Sequence, residues 1–351
     1  MYDTGEAVHP SVQVQDFGLR YVTGTEPGIR RQKRGKHFHF FAPDGSRITD
    51  EAEISRIRKL AIPPAYRDVW ICADSAGHLQ ATGIDARGRK QYRYHPDWRS
   101  LRDGTKFSHI LNFAAVLPKL RATLAEHMAQ RGLSREKVLA TVVALLERTM
   151  IRVGNDDYAR KNESYGLTTL RDDHVDVKGH TIRFRFKGKS GKQWNLKLSD
   201  RRIAHVVKAC ADIDGQELFK FVDDNGVVRD VTSGDVNAYL REITGQAFTA
   251  KDFRTWTGTV LAAIALHGME LGAPPARAKR YVKEAVERVA ARLGNTPSVC
   301  RKCYIHPKVI DAYMEGTLAL RLTSDIDTAV PGALDKDEKR VLAFLKKRLA
   351  A

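Results

Sequence analysis

"HVDVKGHTIRFRFKGKSGKQWNLKLSD", residues 174–200, alternates its side chains with a period of two. Successive side chains of a strand point to opposite sides, so Ile182, Phe184 and Phe186 share one face and Arg183, Arg185 and Lys187 the other. Gly179 and the Gly188–Gly191 stretch break the alternation. The segment therefore reads as a three-stranded meander with Lys189 at the tip of its second hairpin.

Around the meander the period is that of a helix. "SREKVLATVVALLERTMIRVGN", 134–155, opens at the capping residue Ser134 and sets Val138, Val142, Leu145, Leu146 and Thr149 along one stripe. Its expected stop is Gly154-Asn155, a left-handed cap, which puts Arg152 in the last turn. Thr249 and Asp252 form a capping box for a helix that buries Phe253, Trp256, Val260 and Ile264, with Arg254 on the border of the stripe. Val282, Val286, Val289 and Leu293 mark another helix that ends at Gly294. Thr296-Pro297 opens a further helix that carries Tyr304, one turn after Cys300.

Towards the amino terminus, "HFHFF" (37–41) is a strand, "APDGS" a turn, and residues 68–96 read as further strands joined by glycine turns. Helical periodicity begins at about residue 107. The expected fold class is α+β: a loose tail over 1–19, a small β-rich domain over 20–97, and a larger, mainly α-helical domain over 98–351 that contains the meander.

Composition narrows the partners. The chain has 351 residues with 59 Lys+Arg against 42 Asp+Glu, a formal net charge of +17. Such an excess speaks of solubility and of polyanionic partners, nucleic acid ahead of an anionic membrane surface. No apolar run approaches the ~20 residues of a membrane span, and no signal peptide is visible. The four cysteines, Cys72, Cys210, Cys300 and Cys303, make no disulfide framework, which suits a reducing interior. Cys300 and Cys303 with His306 nearby fall short of a zinc ligand set, so no metal or cofactor is expected.

Arg89, Lys90, Gln91, Tyr92 and Tyr94, in "ARGRKQYRY", mix long donors with flat rings, a pattern suited to phosphate and base-edge contact. The basic run Arg30, Arg31, Lys33, Arg34, Lys36 is expected to be a solvated face. Arg152, Lys189, Arg254 and Tyr304 each have an ordinary structural reading, and spacing alone does not join them. The acidic pairs in "GNDDY" and "FVDDNG" read as turn residues. No phosphate-binding loop, H-E-x-x-H or nucleophile elbow is present.

"IRVGNDDYARKNESYGLTTLRDDHV", "FRFKGKSGKQW", "TAKDFRTWTG", "LGNTPSVCRKCYIHP" and "ATGIDARGRKQYRYHP" together resemble the type IB DNA topoisomerases, their poxvirus-like bacterial branch most closely, over residues 20 to 320. The resemblance implies supercoil relaxation by transient cleavage of one DNA strand through a 3′-phosphotyrosine, without ATP or metal. It makes Tyr304 the nucleophile, Arg152 and Arg254 the clamp on the scissile phosphate, and Lys189 the general acid. Gln91, Tyr92 and Tyr94 would touch duplex DNA from the small domain. The implied protein is a monomer that clamps DNA in the bacterial nucleoid. One departure stands out: Asn295 occupies the position before "TPS" where the family usually has a histidine.

The chemistry fits these residue types. Guanidinium groups stay charged and bond phosphate oxygens bidentately. A lysine beside arginines has its pKa lowered towards proton donation. Two rivals remain: a tyrosine recombinase, which usually carries a histidine where Lys251 stands, and a non-enzymatic basic DNA-binding protein.

Overall fold

A computed structural model describes residues 18–35, 37–86, 88–321 and 332–350, the side chains of 100–106, 108, 157, 158, 161 and 190 excepted. Residues 1–17 of the expected tail and Lys36 of the basic run lie outside the described residues. Contacts divide the chain into two compact units, Met1–Phe107 and Ser108–Ala351.

The first unit is built on a five-stranded sheet of β1 (Ile29–Arg34), β2 (His37–Phe41), β3 (Arg67–Ile71), β4 (Leu79–Ile84) and β5 (Lys90–Tyr94). Its order is β2-β1-β3-β4-β5, and every pairing is antiparallel. Helix α1 (Glu51–Lys59) packs Ile57 against Ile29, Phe40, Ile71 and Ala81. Its nine residues carry one fully buried position, too few for helical periodicity to stand out, but Asp50 caps it by accepting from the Ala52 and Glu53 N–H groups. Arg31 departs from the expected solvated face. Its guanidinium donates to the Ile62, Pro63 and Tyr66 carbonyls at 3.1, 3.1 and 2.9 Å and lies over the Phe38 ring.

Helix α2 runs from Pro96 to Met128, so it begins about ten residues before the expected onset and contains the expected boundary after Asp97. Proline suits a first helical position. The residues that follow, "DWRSLRDGTK", are mostly polar and gave no apolar stripe to read.

In the second unit, α3 (Arg135–Thr149) is central, with Val138, Val142, Leu145 and Leu146 fully buried. After α4 (Asp156–Asn162), the meander forms as expected from β6 (Val175–Lys178), β7 (Thr181–Lys187) and β8 (Gln193–Ser199), in that order. Ile182, Phe184 and Phe186 face the core while Arg183 and Arg185 are exposed. Then come α5 (Arg201–Ala211), a two-stranded ribbon of β9 (Lys220–Val222) and β10 (Val228–Asp230), α6 (Ser233–Thr244), α7 (Ala250–His267), α8 (Pro275–Leu293), α9 (Pro297–Cys303), α10 (Pro307–Met314) and α11 (Lys336–Ala350). The mixture is the expected α+β class.

A buried ionic network ties four of these helices together. Arg121 of α2 donates to Glu147 of α3 and, with two nitrogens, to Glu338 of α11; the Trp256 indole of α7 donates to the same Glu338 at 2.9 Å. Burial alone would raise the Glu338 carboxyl, but Arg121, then the Asp335 N–H and the Trp256 indole, hold it below its usual range. No described helix is long and apolar enough to cross a membrane.

Candidate active site

Helix α3 ends at Thr149, earlier than expected. Met150 takes the left-handed conformation (φ 60°) and its N–H closes on Leu146 O at 3.0 Å. Arg152 is therefore not in a helical turn but in an extended segment beyond it. That segment pairs with the chain at 167–168: Leu167 N–H donates to Arg152 O at 2.8 Å and Thr168 N–H to Val153 O at 2.6 Å. Gly154 is needed for this approach, since a Cβ there would lie 2.7 Å from Thr168 Oγ1.

Helix α7 begins with the expected capping box: Thr249 N–H and Oγ1 both bond Asp252, and Thr249 Oγ1 accepts from Lys251 N–H. Arg254 on this helix is not at the border of the buried stripe but inside, 3% exposed. The ends of two other helices cover it. Its guanidinium donates to Met150 O, just past α3, and to Leu293 O at the end of α8. Arg292 donates to the neighbouring carbonyls of Arg148 and Thr149. Carbonyls left over at helix ends thus become acceptors for arginines, which also suit the negative end of the helix dipole.

Tyr304 ends α9 as its cap residue (φ −133°), with its N–H on Cys300 O at 2.9 Å. The backbone here lies directly on α7. A Cβ on Gly258 would come within 2.5 Å of Tyr304 O, and His306 N–H donates to Thr259 Oγ1 at 3.1 Å. Gly258 stands one turn after Arg254, so a single helix positions both the arginine and the tyrosine. The Arg254 guanidinium carbon sits 5.2 Å from the Tyr304 ring centroid.

Lys189 opens the tight turn Lys189–Gly191 between β7 and β8, as expected, and this turn is closed by Gly188 N–H on Lys192 O at 2.8 Å. Asn295 follows the left-handed Gly294 (φ 63°), and its side-chain oxygen accepts from Arg152. Its amide nitrogen is buried beside the Cys300 thiol with no oxygen acceptor among the described residues, and Arg254 Nε likewise has no acceptor there. Two buried donors without acceptors are costly, on the order of 1–3 kcal/mol each, and such groups are the ones a bound anion would satisfy.

Arg152, Lys189, Arg254 and Tyr304 line one cavity of about 480 Å³. Its lining also includes Lys251, giving, among the described residues, four cationic side chains and no carboxylate. Burial, the largest influence on the Tyr304 phenol, would raise its pKa, but the charges of Arg254 and then Arg152 outweigh it and hold the phenol below its usual value. Burial, followed by the charge of Arg152, lowers the pKa of the Arg254 guanidinium.

Sequence alone did not single out Ser164, Tyr165, Ser233 or Asn237, which also line the cavity. Ser164 and Tyr165 are neighbours in the segment after α4, and Ser233 and Asn237 lie one turn apart at the start of α6, but no spacing joins the two pairs to each other or to Tyr304. Lys251 did leave a signal, because it precedes Arg254 by three residues on one helix.

Within the first unit, β5 divides the residues expected to meet DNA. Alternation puts Lys90, Tyr92 and Tyr94 on one face, with Tyr92 and Tyr94 stacked at 6.1 Å and Lys90 over the Tyr92 ring. Gln91 lies on the other side, and both it and Arg89 bond the Asp85 carboxylate at 2.9 and 2.8 Å. Cys300 is buried, and His306 caps α10 by accepting from Lys308 N–H at 3.1 Å. Burial, then Lys308, pushes the His306 imidazole down to about 4.

Residues 95–324 match the family described as eukaryotic DNA topoisomerase I, catalytic core, and residues 37–85 match the bacterial DNA topoisomerase IB N-terminal domain. The class is therefore that of DNA topoisomerases with a topoisomerase I core. The DNA topoisomerase 1B of Acanthamoeba polyphaga mimivirus is 31% identical over 293 residues, covering 82% of this chain and 87% of its own. DNA topoisomerase 1B of Vaccinia virus (strain Copenhagen) is 21% identical over 252 residues, covering 70% and 75%. DNA topoisomerase 1 of Mycosarcoma maydis is 24% identical over 281 residues, covering 73% of this chain but 27% of its own. This chain belongs to the type IB DNA topoisomerase family.

Proposed function

We propose that this enzyme relaxes supercoiled duplex DNA by attack of the Tyr304 oxygen on a backbone phosphorus. The new bond is a 3′-phosphotyrosine, the phenol proton passes to solvent, the bond broken is P–O5′, and Lys189 supplies the proton that the leaving oxygen takes up. Arg152, Arg254 and Asn295 hold the non-bridging oxygens. Religation is the reverse, with the 5′ hydroxyl returning its proton. The phosphotyrosine conserves the energy of the diester, so no ATP enters. The arginines meet the charge that grows in the transition state, so the step asks for no metal.

The observation that carries this reading is the gathering, among the described residues, of Tyr304 with four cations and no carboxylate around one cavity. A phenol is a poor nucleophile at its usual pKa, and this one is held lower by the arginines that would clamp the phosphate. In the first unit, exposed Lys90 and Tyr92 supply a stacking and phosphate-contact surface backed by half-buried Tyr94, while Arg89 and Gln91 brace it through Asp85. The reading completes with a monomer that clamps duplex DNA in the bacterial nucleoid. The excess of Lys and Arg makes that binding salt-dependent.

The purified enzyme should relax both positively and negatively supercoiled plasmid without ATP and in excess chelator. A requirement for ATP or for a divalent ion would sink the proposal.

Asn295 has a defined part in it. With its oxygen engaged by Arg152, the amide nitrogen is left as a donor for a phosphate oxygen. It is a neutral donor and does not titrate near neutrality, unlike the family's usual histidine. Asn295→Ala should lower single-turnover cleavage by about 10- to 1000-fold, the scale of one lost oxyanion donor, with DNA affinity nearly kept. Asn295→His should keep substantial activity. Parental cleavage by Asn295→Ala would reduce the residue to a turn former.

A further inference from the structure

Two glycines flank the proposed catalytic groups, Gly188 before Lys189 and Gly294 before Asn295, and both lie against one side chain. A Cβ on Gly188 would sit 2.5 Å from Nε1 and 2.7 Å from Cδ1 of Trp194; a Cβ on Gly294 would sit 2.5 Å from Cζ2 of the same indole. The pyrrole edge of Trp194 therefore fills the space under the lysine turn, and its benzene edge fills the space under the asparagine corner. The ring is held firmly. It is 9% exposed, stacks on Phe186 at 6.0 Å and 9°, and is paired with Phe186 across β7 and β8. Lys192 covers the ring at 5.2 Å and donates to Ala291 O at 3.2 Å, which fastens the hairpin to the end of α8 a second time.

We infer that Trp194 is a positioning residue: it is the spacer that sets the distance between the Lys189 turn and the Asn295 corner. The inference rests on the roles proposed above for those two residues. Trp194 does not line the cavity, so its effect on cleavage would pass through the two turns it separates. Meander and helix end are far apart in sequence, and the indole, with the Lys192–Ala291 bond beside it, spans them. A displacement of about 1 Å in a catalytic group commonly costs on the order of 100-fold in rate, so a spacer of this kind is felt in the chemistry before it is felt in the fold.

Gly188 isolates the contact. Its backbone (φ −95°, ψ −170°) is one that any residue adopts, so Gly188→Ala adds a methyl group against the indole without backbone strain. Gly188→Ala should slow single-turnover cleavage of ordinary duplex DNA roughly 10- to 100-fold with DNA affinity near the parent's, and should lower the unfolding midpoint modestly because the packed ring has to shift. Trp194→Leu removes the ring that the new methyl would meet; combined with Gly188→Ala, it should cleave within about threefold of Trp194→Leu alone, because the two changes share one contact. Parental cleavage by Gly188→Ala, or losses that simply multiply in the double variant, would overturn the inference. Should Gly188→Ala fail to fold, Trp194→Leu, which only removes atoms, carries the test: slower cleavage at parental DNA affinity is expected, and unchanged cleavage overturns it. Lys189→Ala, assayed alongside with a 5′-phosphorothiolate substrate, reports separately on the general acid. If that role fails, the coupling of positions 188 and 194 on ordinary DNA still stands or falls by itself.

Discussion

Tyr304→Phe is expected to abolish both adduct formation and relaxation while leaving duplex binding nearly unchanged. The substitution removes one oxygen. The ring stays under the Arg254 guanidinium, the Tyr304 N–H keeps its bond to Cys300 O, and the close fit of the backbone against Gly258 involves no atom of the phenol. The protein should therefore fold and bind DNA as before. The loss in cleavage rate should be on the order of a million-fold, the scale felt when an enzyme loses its nucleophile. Gel-shift titration and single-turnover cleavage, measured side by side, check it. Residual cleavage through a covalent adduct would move the nucleophile elsewhere, with Tyr165 in the same cavity the first candidate.

Lys189→Ala has the second largest expected effect, and its value lies in selectivity. The oxygen that leaves from the 5′ carbon needs a proton, and a well-placed general acid contributes typically about 100- to 10,000-fold. On ordinary DNA the variant should lose rate on that scale. On DNA with sulfur at the bridging 5′ position, the thiolate leaves without a proton, so most of the loss should disappear. Equal losses on both substrates would show that Lys189 acts by charge or by position instead.

The meander was legible because strict alternation over 181–187 has one structural meaning, and its glycines located the turn that carries Lys189. The same holds for the capping box before Arg254 and for Thr296-Pro297 before Tyr304. What was not legible came from tertiary contact. Arg254 is buried because the carbonyl ends of α3 and α8 converge on it, and nothing local to residues 249–260 announces that. The early end of α3 depends on Met150 accepting a left-handed conformation, while Gly154, the residue that looked like the cap, serves a close approach to Thr168. The joining of Arg152, Lys189, Arg254 and Tyr304 could be expected only through family resemblance, since their spacing along the chain carries no common period. The indole of Trp194 illustrates the limit most clearly. In sequence it is one more inward-facing residue of a strand; in space it lies between the two turns that carry Lys189 and Asn295.

The most direct test of the account is to trap the enzyme on nicked or suicide duplex DNA, digest the complex, and map the linked nucleotide by mass spectrometry. The account predicts a single DNA-bearing peptide, modified at Tyr304 and joined through a 3′ phosphate with a free 5′ hydroxyl on the other strand end. A link at any other residue, or one through a 5′ phosphate, would contradict it.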